Sequence, residues 1–130
     1  MTLADGVLIK DNHLAALQGE GVDLRQAIKR ARARAPHTVK IEVEVESLDQ
    51  VRAALDADID RILLDNFSLE SVRAAVAARD AHSGKRLDLE VSGSIELEGL
   101  RTLAGTGIDF ISVGALTKNV TAVDFSMRFL

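Results

Sequence analysis

The 130 residues carry 47% apolar side chains, 20 aspartates and glutamates against 16 lysines and arginines, and no cysteine. That length and apolar content suit one domain with its own core, 1–130, and no apolar run is long enough to span a bilayer. A net charge of −4 argues against the broad basic surface of generic nucleic-acid binding, and the Met1-Thr2-Leu3-Ala4-Asp5 start lacks a signal peptide's basic flank and apolar stretch, so a cytoplasmic location is expected.

Taken in chain order, the sequence alternates strand and helix patterns. Val7-Leu8-Ile9 forms a first strand. Asp23 caps a helix in which Leu24, Ala27, Ile28, Ala31 and Ala35 make an apolar stripe, closed by Pro36. Its basic residues, Arg25, Lys29, Arg30, Arg32 and Arg34, read as a solvated face. A strand over 39–45 follows, then Ser47 and Gln50 at capping-box spacing open a helix with Leu48, Val51 and Leu55 on one face. Next come a strand over 61–65 and a helix capped by Ser68, with Leu69, Val72, Ala75 and Val76 on one face, running out near Ser83-Gly84. A strand over 87–91, a helix carrying Leu97, Leu100, Leu103 and Ala104 that ends at Gly105, and a strand over 110–113 complete the alternation, with 123–129 as a candidate final strand.

Strands separated by helices imply parallel pairing, because a crossover must return the chain to the same end of the sheet. The expected class is α/β, as a partial β/α barrel: a whole barrel takes about 250 residues, so this chain would leave two sheet edges open to association. In such a barrel the groups that do chemistry stand where the strands end. The tips here are Lys10-Asp11-Asn12-His13, Glu46, Asp65-Asn66, Ser92-Gly93-Ser94 and Gly114-Ala115.

Side-chain parity places Glu42, Glu44 and Glu46 on one face of their strand and Ile41, Val43 and Val45 on the other, and Asp88, Glu90 and Ser92 repeat the arrangement. Antiparallel edge strands with a solvated face would look alike. Within a βα alternation, the aliphatic faces are expected under the helices and the carboxylates toward the barrel interior and mouth. Lys10 is the only lysine or arginine at a strand tip, so the cations that balance these carboxylates are expected from further sequence or from ligand. At the glycine-bearing tips, glycine lets backbone N–H groups approach a phosphate, and a following helix N-terminus adds partial positive charge. No dinucleotide fingerprint, phosphate-loop lysine motif or Gly-x-Ser-x-Gly elbow occurs. His13, His37 and His82 lack zinc-site spacing, and His13 reads as a structural hydrogen-bonder.

These blocks, Val7-Leu8-Ile9-Lys10-Asp11-Asn12-His13, Ile41-Glu42-Val43-Glu44-Val45, Leu63-Leu64-Asp65-Asn66-Phe67, Glu90-Val91-Ser92-Gly93-Ser94 and Ile111-Ser112-Val113-Gly114-Ala115-Leu116-Thr117, resemble in order and spacing those of quinolinate phosphoribosyltransferase, the carboxylating nicotinate-nucleotide pyrophosphorylase. The resemblance covers the C-terminal part of that family's barrel, without its N-terminal domain or the earlier strands that grip the acid. It implies a pentosyl transfer of NAD biosynthesis: the phosphoribosyl group of phosphoribosyl pyrophosphate passes to the nitrogen of quinolinate, with loss of carbon dioxide, giving nicotinate mononucleotide and pyrophosphate. It further implies that Lys10 reaches the acid and the reacting centre, and that Glu44 and Asp65 lie near the ribose and Mg2+, which accompanies the pyrophosphate. Ser92, Gly93 and Ser94, with Val113, Gly114 and Ala115, are implied to hold the 5′-phosphate. Family members are dimers. The resemblance gives Lys118 no role. Two alternatives remain: a truncated, non-catalytic fragment or oligomerising phosphate-binding module, and a paralogous phosphoribosyltransferase with another acceptor.

Overall fold

A computed structural model describes residues 5–129. The segment 1–4, read above for its lack of a leader, lies outside them. Five strands, β1 (Gly6–Ile9), β2 (Lys40–Val45), β3 (Arg61–Asp65), β4 (Asp88–Ser92) and β5 (Phe110–Ile111), form one sheet in the order β1-β2-β3-β4-β5. Every pairing is parallel, so the α/β class and the partial-barrel arrangement stand. The helices are α1 (Asp11–Gln18), α2 (Leu24–Arg34), α3 (Leu48–Leu55), α4 (Leu69–Ala81), α5 (Leu97–Ala104) and α6 (Ala115–Lys118). None is long and apolar enough to cross a membrane among the described residues.

Strand parity decides where the core lies. Ile41, Val43, Val45, Ile62, Leu64 and Leu89 are wholly buried and cluster with Ile28 of α2, Val51 of α3 and Val72 and Ala75 of α4. Each buried aliphatic of this size contributes about 1.5–3 kcal/mol. The opposite face carries the carboxylates and Arg61, interspersed with Leu8, Leu63 and Phe110. Helix starts are fixed much as the sequence predicts: the Gln26 N–H donates to the Asp23 carboxylate at 2.8 Å, and the Ser71 N–H to the Ser68 hydroxyl at 3.2 Å. At α3 the expected box is shifted by one residue, because the Gln50 side chain accepts from the Glu46 N–H at 2.8 Å while Ser47 Oγ accepts from the Gln50 N–H.

Three expectations change and one gains detail. The strand tip at Lys10–His13, where no helix is expected from the sequence, opens α1; the His13 ring caps it, Nδ1 accepting the Lys10 N–H at 3.0 Å. The basic face of α2 is solvated as expected, with Arg25, Lys29, Arg30 and Arg34 exposed, and it adds ion pairs of Arg25 to Asp56 (2.7 Å), Arg30 to Glu20 (3.4 Å) and Arg32 to Asp60 (2.8 Å). Strand β5 stops at Ile111 instead of running on to residue 113. Residues 123–129 form no strand: Val123, Phe125, Met127 and Phe129 are 73–94% exposed, and apolar alternation without a partner ladder cannot hold an extended chain.

Candidate active site

The strand register stacks the polar face in layers, the packing expected of a barrel interior. In the lowest layer Leu8, Glu42, Arg61 and Asp88 are successive register partners. Above it run Glu44, Leu63, Glu90 and Phe110, and Lys10, one residue past the Ile9–Val43 pair, stands level with Glu44. The top layer pairs Asp65 with Ser92.

Glu44 is the buried member of this rim, 6% exposed. Its Oε1 lies 3.5 Å from Lys10 Nζ, and its Oε2 accepts the Asp11 N–H at 3.2 Å. That N–H belongs to the free first turn of α1, where partial positive charge favours a carboxylate. The sequence-predicted pair Lys10 and Glu44 is thus brought together from different strands, with the ammonium half-exposed toward the mouth.

Asp65 is gripped on both oxygens. Ser92 Oγ donates to Oδ1 at 2.9 Å and Asn66 Nδ2 to Oδ2 at 2.8 Å. Asn66 adopts φ +54°, a left-handed conformation that asparagine tolerates well, and its N–H donates to the Ser92 carbonyl at 3.1 Å. Gly93 lies against it at φ +129°, where a Cβ would stand 2.6 Å from Asn66 Oδ1. The two neighbouring tips therefore interlock, and only glycine fits at 93. Ser94 is exposed.

The second glycine tip is built differently from the first. Gly114 has an ordinary φ of −65° and room for a Cβ, whose nearest neighbour would be Lys118 Cε at 3.6 Å. Backbone conformation does not require glycine there. Helix α5 begins past Ser94 with Glu98 in its first turn, so an acid already answers its N-terminal charge. At the Gly114 tip a positive charge comes from Lys118, whose Nζ would lie 3.9 Å from a Gly114 Cβ. Sequence reasoning left it without a role; the i, i+4 spacing from Gly114 was the available signal.

Arg61 was also missed, because it opens a strand rather than ending one. Its Nη1 donates to Glu90 Oε2 at 2.8 Å, and its guanidinium lies 3.8 Å from the Phe110 ring centroid. It supplies from within the chain one of the cations expected from elsewhere. Glu42 is pushed up to about 7, by burial first and then by the neighbouring Glu90 charge, with Arg61 acting the other way.

No cluster of three or more side chains able to hold a metal occurs among the described residues. Glu44 and Asp65 are all-oxygen donors with spare lone pairs, which suits Mg2+: it takes one or two carboxylates and completes its shell with water and phosphate oxygens.

The fold is a parallel β/α partial barrel with carboxylates, a lysine and glycine turns along its strand ends, the end at which barrel folds carry their functional groups. Residues 1–128 match the family model of the quinolinate phosphoribosyl transferase C-terminal domain, and the chain belongs to that family. It is 45% identical over 125 residues to the nicotinate-nucleotide pyrophosphorylase [carboxylating] of Mycobacterium leprae, covering 96% of this chain and 42% of the relative. Identity to the probable enzyme of that name from Bacillus subtilis is 42% over 125 residues, 96% of this chain and 40% of the relative. The crystal structure of NadC from Streptococcus pyogenes superposes with a TM-score of 0.81 at 38% identity, covering 98% of this chain and 42% of that one. The chain spans about two fifths of the length of the curated relatives it matches.

Proposed function

We propose that this chain forms the phosphoribosyl side of a site that transfers a phosphoribosyl group from phosphoribosyl pyrophosphate to quinolinate, with decarboxylation to nicotinate mononucleotide. The observation that carries this reading is the Lys10–Glu44 pair beside an Asp65 carboxylate oriented by Ser92 and Asn66, all at the ends of consecutive parallel strands. Departure of pyrophosphate leaves the ribose carbon cation-like, and fixed carboxylates stabilise that charge more in the transition state than in the ground state. Glu44 and Asp65 take that role, held in place by donors on both of their oxygens. Mg2+, when bound, would screen the pyrophosphate charge, with Glu44 and Asp65 as its protein ligands.

Lys10 places its charge for the anionic acid. The 5′-phosphate sits against the backbone of Ser92, Gly93 and Ser94 and of Val113, Gly114 and Ala115, with Lys118 as the nearby cation. The working assembly is a cytoplasmic homo-oligomer, with no role for nucleic acid or membrane. In a catalytically competent assembly, Glu44→Gln or Asp65→Asn should lower kcat about 10²–10³-fold, the scale of losing one preorganised electrostatic group. Near-normal turnover in both variants would overturn the assignment.

A second reading is favoured by the edges of β1 and β5, each paired on one side only: alone, the chain binds phosphate without catalysing transfer. Assay of the purified chain with both substrates separates the readings, since nicotinate mononucleotide formed without another polypeptide refutes the second. A different anionic acceptor on the same scaffold would show as turnover of phosphoribosyl pyrophosphate only when quinolinate is replaced.

A further inference from the structure

The Val113-Gly114-Ala115 tip stands at the end of the least anchored strand in the sheet. Strand β5 makes two register pairs with β4, against five between β3 and β4, and helix α5, which leads into it, buries no residue. Leu103, Ile108 and Ile111 pack against the core only in part. Apolar burial fixes this unit less firmly than its neighbours, so polar contacts decide where its end lies.

Those contacts fall into two groups. At the start of β5, Asp109 accepts Arg79 Nη1 at 2.6 Å, Arg86 Nη2 at 2.7 Å and the Leu89 N–H at 2.8 Å. From Phe110 onward the anchor is Arg61. Its guanidinium covers the Phe110 ring at 3.8 Å, and its Nη1 donates to Glu90 Oε2 at 2.8 Å. The other Glu90 oxygen accepts the hydroxyl of Ser112, the residue before the tip. Asp88, in the layer of Arg61, lies 3.8 Å from its Nη2 and steadies it. The side chains of Arg61 and Glu90 are 21% and 13% exposed, and shielding of that degree strengthens a charge-assisted contact.

We propose that Arg61 is a positioning residue for the Val113-Gly114-Ala115 tip: it holds β5 by the ring of Phe110 and, through Glu90, by the hydroxyl of Ser112. A guanidinium can do both at once. Its flat face stacks on a ring while its edge N–H groups stay free for a carboxylate. Without it Glu90 would be a largely buried carboxylate short of a cation, and in turning toward water it would release Ser112. The tip would then shift while the Asp109 end of the strand stays in place. That the tip holds a 5′-phosphate rests on the phosphoribosyl reading; that Arg61 sets its position does not.

The test uses the isotopically labelled 130-residue chain. Amide residual dipolar couplings report backbone orientation without any ligand. In Arg61→Met those of residues 112–115 should depart from the parent values while those of 107–109 hold, and Arg61→Lys, which keeps a cation for Glu90 and the ring, should restore most of the parent pattern. Ser112→Ala should move the same residues without stranding a charge, and Arg61→Met added to it should move them less than it does alone, because both changes cut one link. Unchanged couplings at 112–115 in Ser112→Ala, or equal changes at 107–109 and 112–115 in Arg61→Met, would each overturn the proposal. Ribose 5-phosphate, followed at the Gly93 and Gly114 amide signals, gives the second readout: a displaced tip in Arg61→Met should weaken its binding about tenfold. Equal binding by the parent and Arg61→Met would also overturn the role. No binding by the parent counts against the phosphoribosyl reading, and the couplings then decide for Arg61.

Discussion

Replacing Gly93 by alanine tests whether the interlocked tips of β3 and β4 are as constrained as their geometry says. A φ of +129° lies in a region occupied almost only by glycine, and holding another residue there costs about 1–3 kcal/mol. The new Cβ would meet Asn66 Oδ1 at 2.6 Å and Asn66 Cα at 3.3 Å. The amide can swing aside only by giving up its 2.8 Å hydrogen bond to Asp65, a further loss of about 1 kcal/mol. The Cα cannot move freely, because the Asn66 N–H is tied to the Ser92 carbonyl. Together these give about 2–4 kcal/mol. With a urea m-value of about 2 kcal/mol/M for a chain of this size, the denaturation midpoint should fall by about 1–2 M. Gly114→Ala is the control: at φ −65°, with 3.6 Å to the nearest atom, the smaller entropy of the unfolded alanine chain should leave stability unchanged or raise it. Equal effects in the two variants, or a Gly93→Ala midpoint within about 0.2 M of the parent, would refute the reasoning.

Arg79 is 4% exposed and binds Asp109 at 2.6 Å, Asp80 at 2.8 Å and the Gly107 carbonyl at 3.2 Å. Arg79→Met should destabilise by about 3 kcal/mol, because the acids around it lose their buried partner, and an unchanged melting curve by circular dichroism would contradict this. For Asp60, burial alone would raise the pKa, but hydrogen bonds from Lys85, the Ile41 N–H and Arg32 overcome it and hold the carboxyl well below the usual range. Asp109 is lowered in the same way, against its burial, by the Leu89 N–H and by Arg86 and Arg79. Both groups titrate lower folded than unfolded, so their stabilisation is complete above about pH 4 and is lost as pH falls through the depressed values. The urea midpoint should therefore drop between pH 4 and pH 2, less steeply in Asp60→Asn, and a flat profile would count against both assignments. Glu42 has the opposite sign: raised in the folded state, it lowers stability as pH climbs from 4.5 to about 7.

What could be read from the sequence followed from periodicity and parity. Ile41, Val43 and Val45 alternate with Glu42 and Glu44, and that alternation alone placed the core on one face and the carboxylates on the other. Helix α1 was hidden because its start uses a histidine ring at the third helical position in place of a side-chain cap at Lys10, and it buries only Leu14. Arg61 was missed and Lys118 left without a role for a related reason: their charges reach their neighbours across strands or over a helical turn, distances that strand-tip spacing does not encode. Residues 123–129 misled in the other direction, since alternation marks a segment able to become a strand and the partner decides whether it does.

The sheet order repeats the chain order, so each strand is hydrogen-bonded only to its sequence neighbours. Pairing of this kind makes the molecule nearly one-dimensional, closer in its energetics to a repeat array than to a Greek key. Each βα unit closes a short loop before the next arrives, which favours rapid, vectorial folding as the polypeptide emerges from the ribosome. Damage to one unit then weakens its two neighbours and leaves distant ones standing, so a defect at the β5 end can displace the Val113-Gly114-Ala115 tip while the Lys10–Glu44 end keeps its shape.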